Sequence, residues 1–592
     1  MKPIASEEIP RGAGWMYEVK YDGFRCLLEW SSDGVTLTSK NGKDLTGNFP
    51  EIVEYLDRVA TSVPLPMKLD GELVVLNNQY QGNFPLLQKR GRMKNQTSIQ
   101  QAANARPATF MAFDLLMENG KDYQGESFEV RKRRLKAVFS GFGERIRFVE
   151  SFKNPDELQR IVFAHKGEGI IAKRMRNEYL PGKKHQDWFK IKNWRRVNGF
   201  LTFYDPKNDY FTVNIYEHDK IKEIGKCRHG LEKEAFAALK KMFTENGEKQ
   251  ANGYNLPPAI CASIHTLDLY KGELREPEFA RLMPELSPEE CTMKQVKLDM
   301  AMLPELVELT NTAKVFWPDA ELTKGDLLRY IREVSPFMLP FLRERALTLI
   351  RCPDGVEAEH FFQKHLPVYA PDFIDSLPDG EDELIICNTL EALVWFANHG
   401  TAEFHIPFQK AASELPCEIV FDLDPPSRDE FALAVQAANL IKPMLDDLEL
   451  VSFIKTSGNK GLQIHIPIPE GSMTYEQTAI FTQAIAMTVE QAYPDRFTTE
   501  RMKKKRNGRL YIDYVQHGKD KTIIAPYSPR MTKEGTVSTP LFWDEVTESL
   551  HPAAFTLKNA VERVAELGCP FLDYFAAGKE QRLEKVLELV GR

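Results

Sequence analysis

The first 194 residues alternate short apolar runs with Asp-Gly turns, a pattern typical of antiparallel strands. The predicted strands are WMYEVK, FRCLLEW, MKLDGELVVL, TFMAFDLLM, GIIAKR and DWFKIKNW. Helical periodicity covers residues 86–104, 131–139 and 155–165. We therefore expect an α+β domain over residues 1–194.

The pattern changes after Trp194. Three short strand-like runs, FLTFYDP, YFTVNIYEHD and KIKEIGKCR, precede the helix-like run LEKEAFAALKKMF. This order suits a small β-barrel of the OB type over residues 195–290, followed by a linker over 291–310. From 311 to 592, apolar strands alternate with long helices, which predicts a second αβ domain. The expected fold class is multidomain α+β.

Composition narrows the class of protein. A chain of 592 residues is too long for one hydrophobic core, so several domains are expected. Neither a run of about 18 apolar residues nor an apolar N-terminal segment occurs, which predicts no membrane span and no secretion signal. The eight cysteines form no CxxC pair and suit buried, reduced thiols. These features indicate a cytoplasmic protein.

The net charge of −8 does not suggest a polyanion-binding protein, yet basic residues cluster at 88–94, 131–136, 190–196 and 501–509. One such run fits a solvated face equally well. Several runs beside candidate catalytic carboxylates favour binding to nucleic acid.

The stretch EVKYDGFR (18–25) contains the first candidate chemistry. By itself, KYDG fits an exposed turn with a surface ion pair. A lysine that attacks phosphorus, however, must lose its proton and needs nearby carboxylates and cations. Strand ends in this domain supply such groups, namely Lys20, Asp70, Glu72, Glu168, Lys190 and Lys192. Arg25 and Arg90 are further cationic candidates.

The stretch EIVFDLDPP (418–426) contains the second group of candidate catalytic residues. Asp422 and Asp424 are two residues apart on a strand, so both project from one face. They fit either an exposed strand end or an oxygen-rich site for Mg²⁺ or Mn²⁺. Asp513, on another apolar strand beside the basic run 501–509, would complete a two-metal site.

A small-residue turn lies between these acids. Ser457, Gly458, Lys460 and Gly461 could cradle phosphates through backbone N–H groups. His465 follows on a strand, and a histidine in that position also fits a purely structural role.

The motifs EVKYDGFR, TSKNG, LDGELVV, FMAFDLL, EGIIAK and FKIK occur in the order found in ATP-dependent DNA ligases, which this part of the chain resembles. The resemblance implies an adenylation domain in which Lys20 forms a lysyl-AMP phosphoramide. It implies that Arg25 and Glu72 hold the ribose and phosphate region, that Phe113 stacks on adenine and that Lys190 and Lys192 contact the α-phosphate. It also implies metal binding at Glu168, with Glu72 as a second candidate.

Two departures from the ligase pattern stand out. Lys40 stands where the family has arginine, so a point charge replaces a bidentate fork. The last family motif is represented only by LREPEFARLM (274–283), where Arg275 and Arg281 are candidates. We therefore expect slow formation of the enzyme–AMP adduct.

Residues from about 310 to 550 resemble the polymerase domain of bacterial ligase D, within the archaeo-eukaryotic primase superfamily. The stretches are KVFWPDAELTKGDL, RCPDGVEAEHFFQKH, GTAEFHIPF, FDLDPP, TSGNKGLQIHIP and APYSPR. The resemblance implies metal binding by Asp422, Asp424 and Asp513. The implied triphosphate contacts are His405, Ser457, Lys460, His465 and Arg530. Lys314 and Lys324 would bind a 5′-phosphate across a gap, and Phe362 would stack near the template.

Together the two resemblances imply the two-domain form of ligase D, without a phosphoesterase domain. Such an enzyme acts in non-homologous end joining, where it fills gaps with NTPs or dNTPs and seals nicks. The implied cofactors are ATP and Mg²⁺ or Mn²⁺, the implied partners are DNA ends and Ku, and the implied location is the nucleoid. Two alternatives remain open, a DNA end-bridging scaffold with degenerate sites and an RNA ligase or capping enzyme.

Overall fold

A computed structural model describes residues 1–139, 143–182 and 184–591. The chain divides into two compact units, Met1–Met302 and Leu303–Arg592. Both units combine helices with mostly antiparallel sheets, as the predicted multidomain α+β class requires.

Two sheets form the first part of unit one. The five-stranded sheet has the order Lys2–Ala5, Lys184–Lys192, Gly169–Arg174, Trp15–Lys20 and Ser151–Phe152. The six-stranded sheet has the order Ile146–Phe148, Thr109–Glu118, Met67–Val74, Phe24–Ser31 and Gly34–Ser39, with Lys121–Asp122 beside Thr109–Glu118. The helices are Pro50–Val59, Phe84–Arg92, Gln96–Ala105, Phe128–Phe139 and Pro155–Ala164.

The alternation seen in the sequence produces this layered arrangement. On strand Phe24–Ser31, Cys26, Leu28 and Trp30 point into the core while their neighbours face outward. Asparagine side chains cap three of the helices, because Asn83, Asn95 and Asn154 each accept a bond from a backbone N–H of the first turn.

The second part of unit one is one antiparallel six-stranded sheet with a helix. The strand order is Lys220–Cys227, Tyr210–Glu217, Arg195–Asp205, Gly253–Thr266 and Glu248–Gln250, with Glu278–Leu282 also beside Gly253–Thr266. Helix Lys233–Asn246 buries Leu239 and Phe243 in the core of this domain. Size, order and packing match the predicted OB-type domain.

The predicted linker over 291–310 differs from the structure at its start. Residues Met293–Met300 form a helix whose Val296 and Met300 lie in the core of the preceding domain. The backbone N–H of Tyr216 also donates to the Cys291 carbonyl at 2.8 Å. These contacts place 291–300 with the OB-type domain, because burial of the apolar face of the helix favours packing over extension.

Unit two has two main sheets. The four-stranded sheet has the order Phe361–Gln363, Thr348–Arg351, Thr401–Pro407 and Thr522–Ile524. The six-stranded sheet has the order Phe497–Thr498, Leu510–Asp513, Glu418–Asp424, Leu462–Pro467, Phe453–Thr456 and Pro540–Leu541. The helices are Lys324–Leu342, Leu390–Asn398, Phe431–Asp447, Tyr475–Ala492, Ala560–Leu567, Tyr574–Glu580 and Glu584–Val590.

The strand Glu418–Asp424 lies inside the six-stranded sheet. Its apolar residues Ile419, Phe421 and Leu423 pack in a core shared with helices Phe431–Asp447 and Tyr475–Ala492. This burial fixes the register of the strand, so that its alternate positions carry Asp422 and Asp424 on the opposite face.

Two further expectations concern the whole chain. Within the part of the chain that the structure describes, every helix is too short or too polar to cross a membrane. All eight cysteines are free thiols, and all except the half-buried Cys417 are buried. The expectation of buried cysteines therefore holds for all of them except Cys417.

Candidate active sites

Lysines gather on one face of the five-stranded sheet. Lys20 ends its strand opposite Gly169, and Lys192 lies opposite the same glycine on the other side. Gly169 has φ +156°, and a Cβ there would lie 2.1 Å from the Ile191 carbonyl oxygen. Only glycine therefore fits between the two lysines. Lys190 lies one position further along the same face, opposite Ile171.

The Lys20 amine forms an ion pair with Glu168, the residue before this glycine. Burial alone would lower the pKa of Lys20, but the Glu168 carboxylate outweighs it and holds the pKa above its usual range. Glu72 lies close enough to add to this effect, and its own pKa is raised to about 8 by burial and by the Glu168 charge. The structure therefore brings Lys20, Glu72 and Glu168 together.

The facing sheet contributes a cation and an aromatic ring. Arg25 lies opposite Glu72 and donates to Asp70 at 2.6 Å and 3.1 Å. Its guanidinium carbon is 5.5 Å from the centre of the Phe113 ring. Arg25, Glu72 and Phe113 thus lie together on the face that opposes the lysines, whereas Asp70 serves as the partner of Arg25.

Two other predicted cations lie differently. Lys40 is exposed, and its backbone N–H donates to the Arg25 carbonyl at 3.1 Å, so it lies at the edge of this group. Arg90 is buried and donates to both carboxylate oxygens of Glu51, at 2.8 Å and 2.7 Å. The prediction that Arg90 joins the site is therefore wrong, because its buried guanidinium is already paired with Glu51.

The OB-type domain reaches this group through two adjacent residues. Arg275 pairs with both carboxylate oxygens of Asp22, one of them at 2.7 Å, and its guanidinium lies 4.1 Å from the centre of the Phe84 ring. Glu276 pairs with Lys192 at 2.7 Å. Arg281 is exposed and pairs with Glu285 at 2.9 Å. Of the two arginine candidates, the structure brings only Arg275 to the site.

A buried charge cluster that the sequence did not reveal lies beside Lys20, on the same face of the sheet. Glu18 accepts from Ser151 at 2.8 Å and pairs with Lys132 and Lys173, the latter at 2.6 Å. The Lys173 amine is 4.5 Å from the centre of the Phe113 ring. EVK and IAK in the motifs contain Glu18 and Lys173, but only the strand pairing shows that they meet.

The three aspartates of unit two meet on adjacent strands. Asp422 and Asp513 are direct partners across their antiparallel strands, and Asp424 lies two residues along. Burial raises the pKa of Asp422 to about 6, and the charges of Asp424 and Asp513 add to the rise. A cation placed among these carboxylates would relieve that repulsion.

Basic side chains engage Asp424. Lys460 pairs with one of its oxygens at 2.9 Å and Arg506 with the other at 3.2 Å. In the described part of the chain, no three His, Cys, Asp or Glu side chains are gathered closely enough to hold a metal ion as they stand. The donors nevertheless fit a hard divalent ion in chemical type, since all three are aspartates. An ion bound through Asp424 would have to displace Lys460 or Arg506 from it.

The turn before strand Leu462–Pro467 lies against Arg530. The Ser457 hydroxyl accepts from the backbone N–H groups of Asn459 at 3.3 Å and Gly461 at 3.0 Å. Gly458 has φ +71°, and a Cβ there would contact the Arg530 side chain at 2.7 Å. The turn therefore needs glycine to bring Ser457 and Lys460 beside Arg530.

His405 and Arg530 share one acid that the sequence analysis did not single out. The buried Glu403 lies 3.0 Å from the His405 ring nitrogen Nε2 and 3.2 Å from the Arg530 guanidinium. Its carboxylate also accepts from the Met531 backbone at 3.0 Å. Glu403 thus fixes the positions of two predicted triphosphate contacts.

His465 does not reach this group, and its predicted phosphate contact is wrong. Its side chain is 1% exposed, and its Nδ1 lies 2.8 Å from the Glu418 carboxylate. The Tyr574 hydroxyl donates to the same carboxylate at 2.7 Å. Two residues earlier, Gln463 faces Asp422 and donates to its Oδ1 at 3.1 Å.

Lys314 and Lys324 line a cavity of about 180 Å³ with Thr310, Asn311, Asn398 and His399. Lys324 donates to the Thr310 hydroxyl at 3.0 Å, and burial together with the Lys314 charge lowers its pKa to about 8. Phe362 is 70% exposed on strand Phe361–Gln363. The structure therefore supplies a basic cavity and an exposed aromatic ring.

Comparison with known proteins identifies both units. Residues 4–192 match the family model of the ATP dependent DNA ligase domain, and residues 323–571 match that of the LigD primase-polymerase domain.

Relatives match along the whole chain. The bifunctional non-homologous end joining protein LigD of Bacillus subtilis is 41% identical over 600 residues, which covers 99% of this chain and 98% of that protein. The multifunctional LigD of Pseudomonas aeruginosa is 26% identical, and the match covers 98% of this chain and 72% of that protein.

A solved structure also matches part of the chain. The polymerase domain of Mycobacterium tuberculosis Ligase D in complex with DNA is 30% identical, with a TM-score of 0.42, and the match covers 45% of this chain and 96% of that chain. The chain belongs to the LigD family of non-homologous end joining proteins, with an ATP-dependent DNA ligase domain and a primase-polymerase domain.

Proposed function

We propose that the first site joins DNA through a lysyl-AMP intermediate on Lys20. In this reaction Nζ of Lys20 bonds to the α-phosphorus of ATP and pyrophosphate leaves. A 5′-phosphate of DNA then takes the adenylyl group, and a 3′-hydroxyl displaces AMP to form the phosphodiester. The observation that carries this proposal is the ion pair of Lys20 with Glu168, flanked by two lysines and faced by Arg25.

Each neighbour has a stated part in this proposal. Lys190 and Lys192 neutralise the α-phosphate, and Arg25 and Glu72 hold the ribose and phosphate region. Phe113 stacks on adenine, and Lys40 adds a positive charge to the ATP site. Glu72 and Glu168 are the residues that would hold a divalent metal, which supplies charge neutralisation on the phosphates. Release of Glu168 from Lys20 frees the amine to lose its proton and attack.

Incubation of the protein with ATP labelled at the α-phosphate tests this site. Wild type, first treated with pyrophosphate and nicked DNA to discharge any bound AMP, should become labelled in a form that is labile to acid and to acidic hydroxylamine but stable to alkali, as a phosphoramide is. Lys20→Ala should not. Absence of label on discharged wild type would contradict the proposal and favour the end-bridging scaffold. Labelling by GTP instead of ATP would favour a capping-type enzyme.

We propose that the second site extends a DNA end by metal-dependent nucleotidyl transfer. Asp422, Asp424 and Asp513 are the residues that would hold divalent metal, which supplies activation of the 3′-hydroxyl and neutralisation of the triphosphate. The direct pairing of Asp422 with Asp513 and the raised pKa of Asp422 support this role.

The triphosphate contacts are proposed for His405, Ser457, Lys460 and Arg530, which border the same turn or share Glu403. Asp422→Ala should abolish filling of a one-nucleotide gap but leave sealing of a simple nick unchanged, because the ligase site lies in unit one. Loss of both activities in folded protein would contradict this division.

We further propose that the cavity of Lys314 and Lys324 binds the 5′-phosphate on the far side of a gap, with Phe362 stacked near the template. Two cations in one pocket suit a dianionic phosphate. Gap filling should then favour a 5′-phosphate over a 5′-hydroxyl, and equal use of both would remove the idea.

The enzyme uses ATP and divalent metal and acts on DNA ends. We propose Mg²⁺ or Mn²⁺ as the metal, NTPs or dNTPs as polymerase substrates, Ku as partner and the nucleoid as the site of action. Joining of a mismatched linear plasmid, with and without Ku, tests the partnership. Ku should raise both the yield and the fraction of filled junctions.

A further inference from the structure

A buried lysine lies on the same sheet face as the aspartates of unit two. Lys455 is opposite Gln463, which is itself opposite Asp422. Lys455, on strand Phe453–Thr456, is 0% exposed. Its amine donates to the side-chain oxygen of Gln463 and to the hydroxyl of Ser538, the latter at 2.7 Å. A lysine inside a protein is costly to bury, so its N–H groups need specific partners.

The hydroxyl of Ser538 has one orientation. Its proton goes to the Thr456 carbonyl at 3.0 Å, so its oxygen must accept from Lys455. The amine of lysine has at least two N–H groups whether it is charged or neutral, and these two bonds use two of them.

The amide of Gln463 then also has one orientation. Lys455 donates to Oε1, which turns Nε2 toward Asp422, whose Oδ1 accepts at 3.1 Å. An ionised carboxylate can only accept, so a reversed amide would lose both bonds. A chain of hydrogen bonds therefore runs from Ser538 through Lys455 and Gln463 to Asp422.

We propose that Lys455 and Gln463 are positioning residues for Asp422, and that they hold its carboxylate in the orientation in which it would bind a divalent metal. The inference rests on the proposed metal-dependent polymerase function. Groups that orient a metal ligand from behind generally contribute 10–100-fold to metal affinity. A mere packing role for Lys455 would contribute to stability alone.

Binding of Mn²⁺ to the full-length protein without nucleotide tests the proposal, measured by electron paramagnetic resonance of free Mn²⁺. Lys455→Met and Gln463→Met keep the length of each side chain but remove its hydrogen-bonding groups. Each should weaken Mn²⁺ binding about 10–100-fold. The double variant should be no weaker than the weaker single variant, because both changes break one chain.

Controls separate this inference from the function on which it rests. Lys442→Met removes a lysine of the same unit that pairs with Asp446, and it should bind Mn²⁺ as wild type does. Asp422→Ala should lose the site. If wild type binds no Mn²⁺ that depends on Asp422, both the metal function and this proposal fall.

If wild type binds Mn²⁺ and the two variants bind it equally well, only the positioning proposal is overturned. Thermal unfolding identifies any variant that does not fold. If either methionine variant does not fold, Gln463→Glu is tested in its place. A glutamate at position 463 can accept from Lys455 but cannot donate to an ionised Asp422. Unchanged Mn²⁺ affinity in that variant would overturn the proposal.

Discussion

Lys324 should make recognition of a 5′-phosphate dependent on pH between 7 and 9. Burial and the neighbouring Lys314 lower the pKa of its amine to about 8. A terminal phosphate, with a second pKa of about 6, carries nearly two negative charges throughout this range. The phosphate favours the charged amine, so binding takes up a proton above pH 8 and affinity falls as the pH rises.

The size of the effect follows from the pKa. With a value of about 8, the amine is roughly 90% protonated at pH 7 and roughly 10% protonated at pH 9. If only the charged form binds phosphate well, affinity should fall about tenfold, or about 1.4 kcal/mol.

The assay is fluorescence anisotropy with gapped DNA that ends in a 5′-phosphate or a 5′-hydroxyl, at constant ionic strength. The ratio of the two affinities isolates the phosphate contact. Lys324→Arg is the matched control, because arginine stays charged at pH 9 and should flatten the profile. A wild-type ratio that is unchanged from pH 7 to pH 9, or an equal decline in Lys324→Arg, would refute the reasoning.

Three other predictions concern single contacts. Arg275→Met should slow formation of the lysyl-AMP adduct by about 10-fold or more, because a hydrogen-bonded pair of charged groups contributes about 1.5–3 kcal/mol. Single-turnover labelling measures this rate, and the exposed Arg281→Met is the control that should match wild type. His465→Phe should lower the melting temperature and leave the KM for NTP unchanged. A raised KM in stably folded protein would instead support the original prediction that His465 contacts the triphosphate. Glu418→Gln should cost about 3–5 kcal/mol of unfolding free energy, since Arg345 would be left buried without its carboxylate, and urea denaturation measures the loss.

Much of the fold was predictable because local patterns dominate in these strands. Alternation located the strands that carry Lys20, Arg25 and Glu72, and apolar runs located the strand of Asp422 and Asp424. Motif order and strand-end position were enough to group these side chains, since strands of one sheet end at common edges.

The failures have a different physical cause. Gln463 and His465 lie on one face of the same strand, so alternation cannot decide which of them lies beside the aspartates. The answer depends on helix Tyr574–Glu580, more than a hundred residues away, which covers His465 through Tyr574. The partner of Arg90 was equally non-local, because Glu51 lies on a separate helix.

The role of residues 291–300 was missed for a related reason. This segment contains a helix of only eight residues, and its burial becomes apparent only once the sheet beside it exists. Likewise, nothing in LREPEFARLM distinguishes Arg275 from Arg281 until the fold brings one of them to Asp22.

The contact between Glu276 and Lys192 makes phosphate binding a competition. An anion that settles on Lys192 must first expel the Glu276 carboxylate, which belongs to the OB-type domain. If nucleotide binds at Lys192 as proposed, a change that weakens this ion pair should therefore raise the affinity for nucleotide. Added salt should thus have two opposing effects on the affinity for nucleotide. It screens the attraction between Lys192 and the phosphate, and it also weakens the competing ion pair between Lys192 and Glu276.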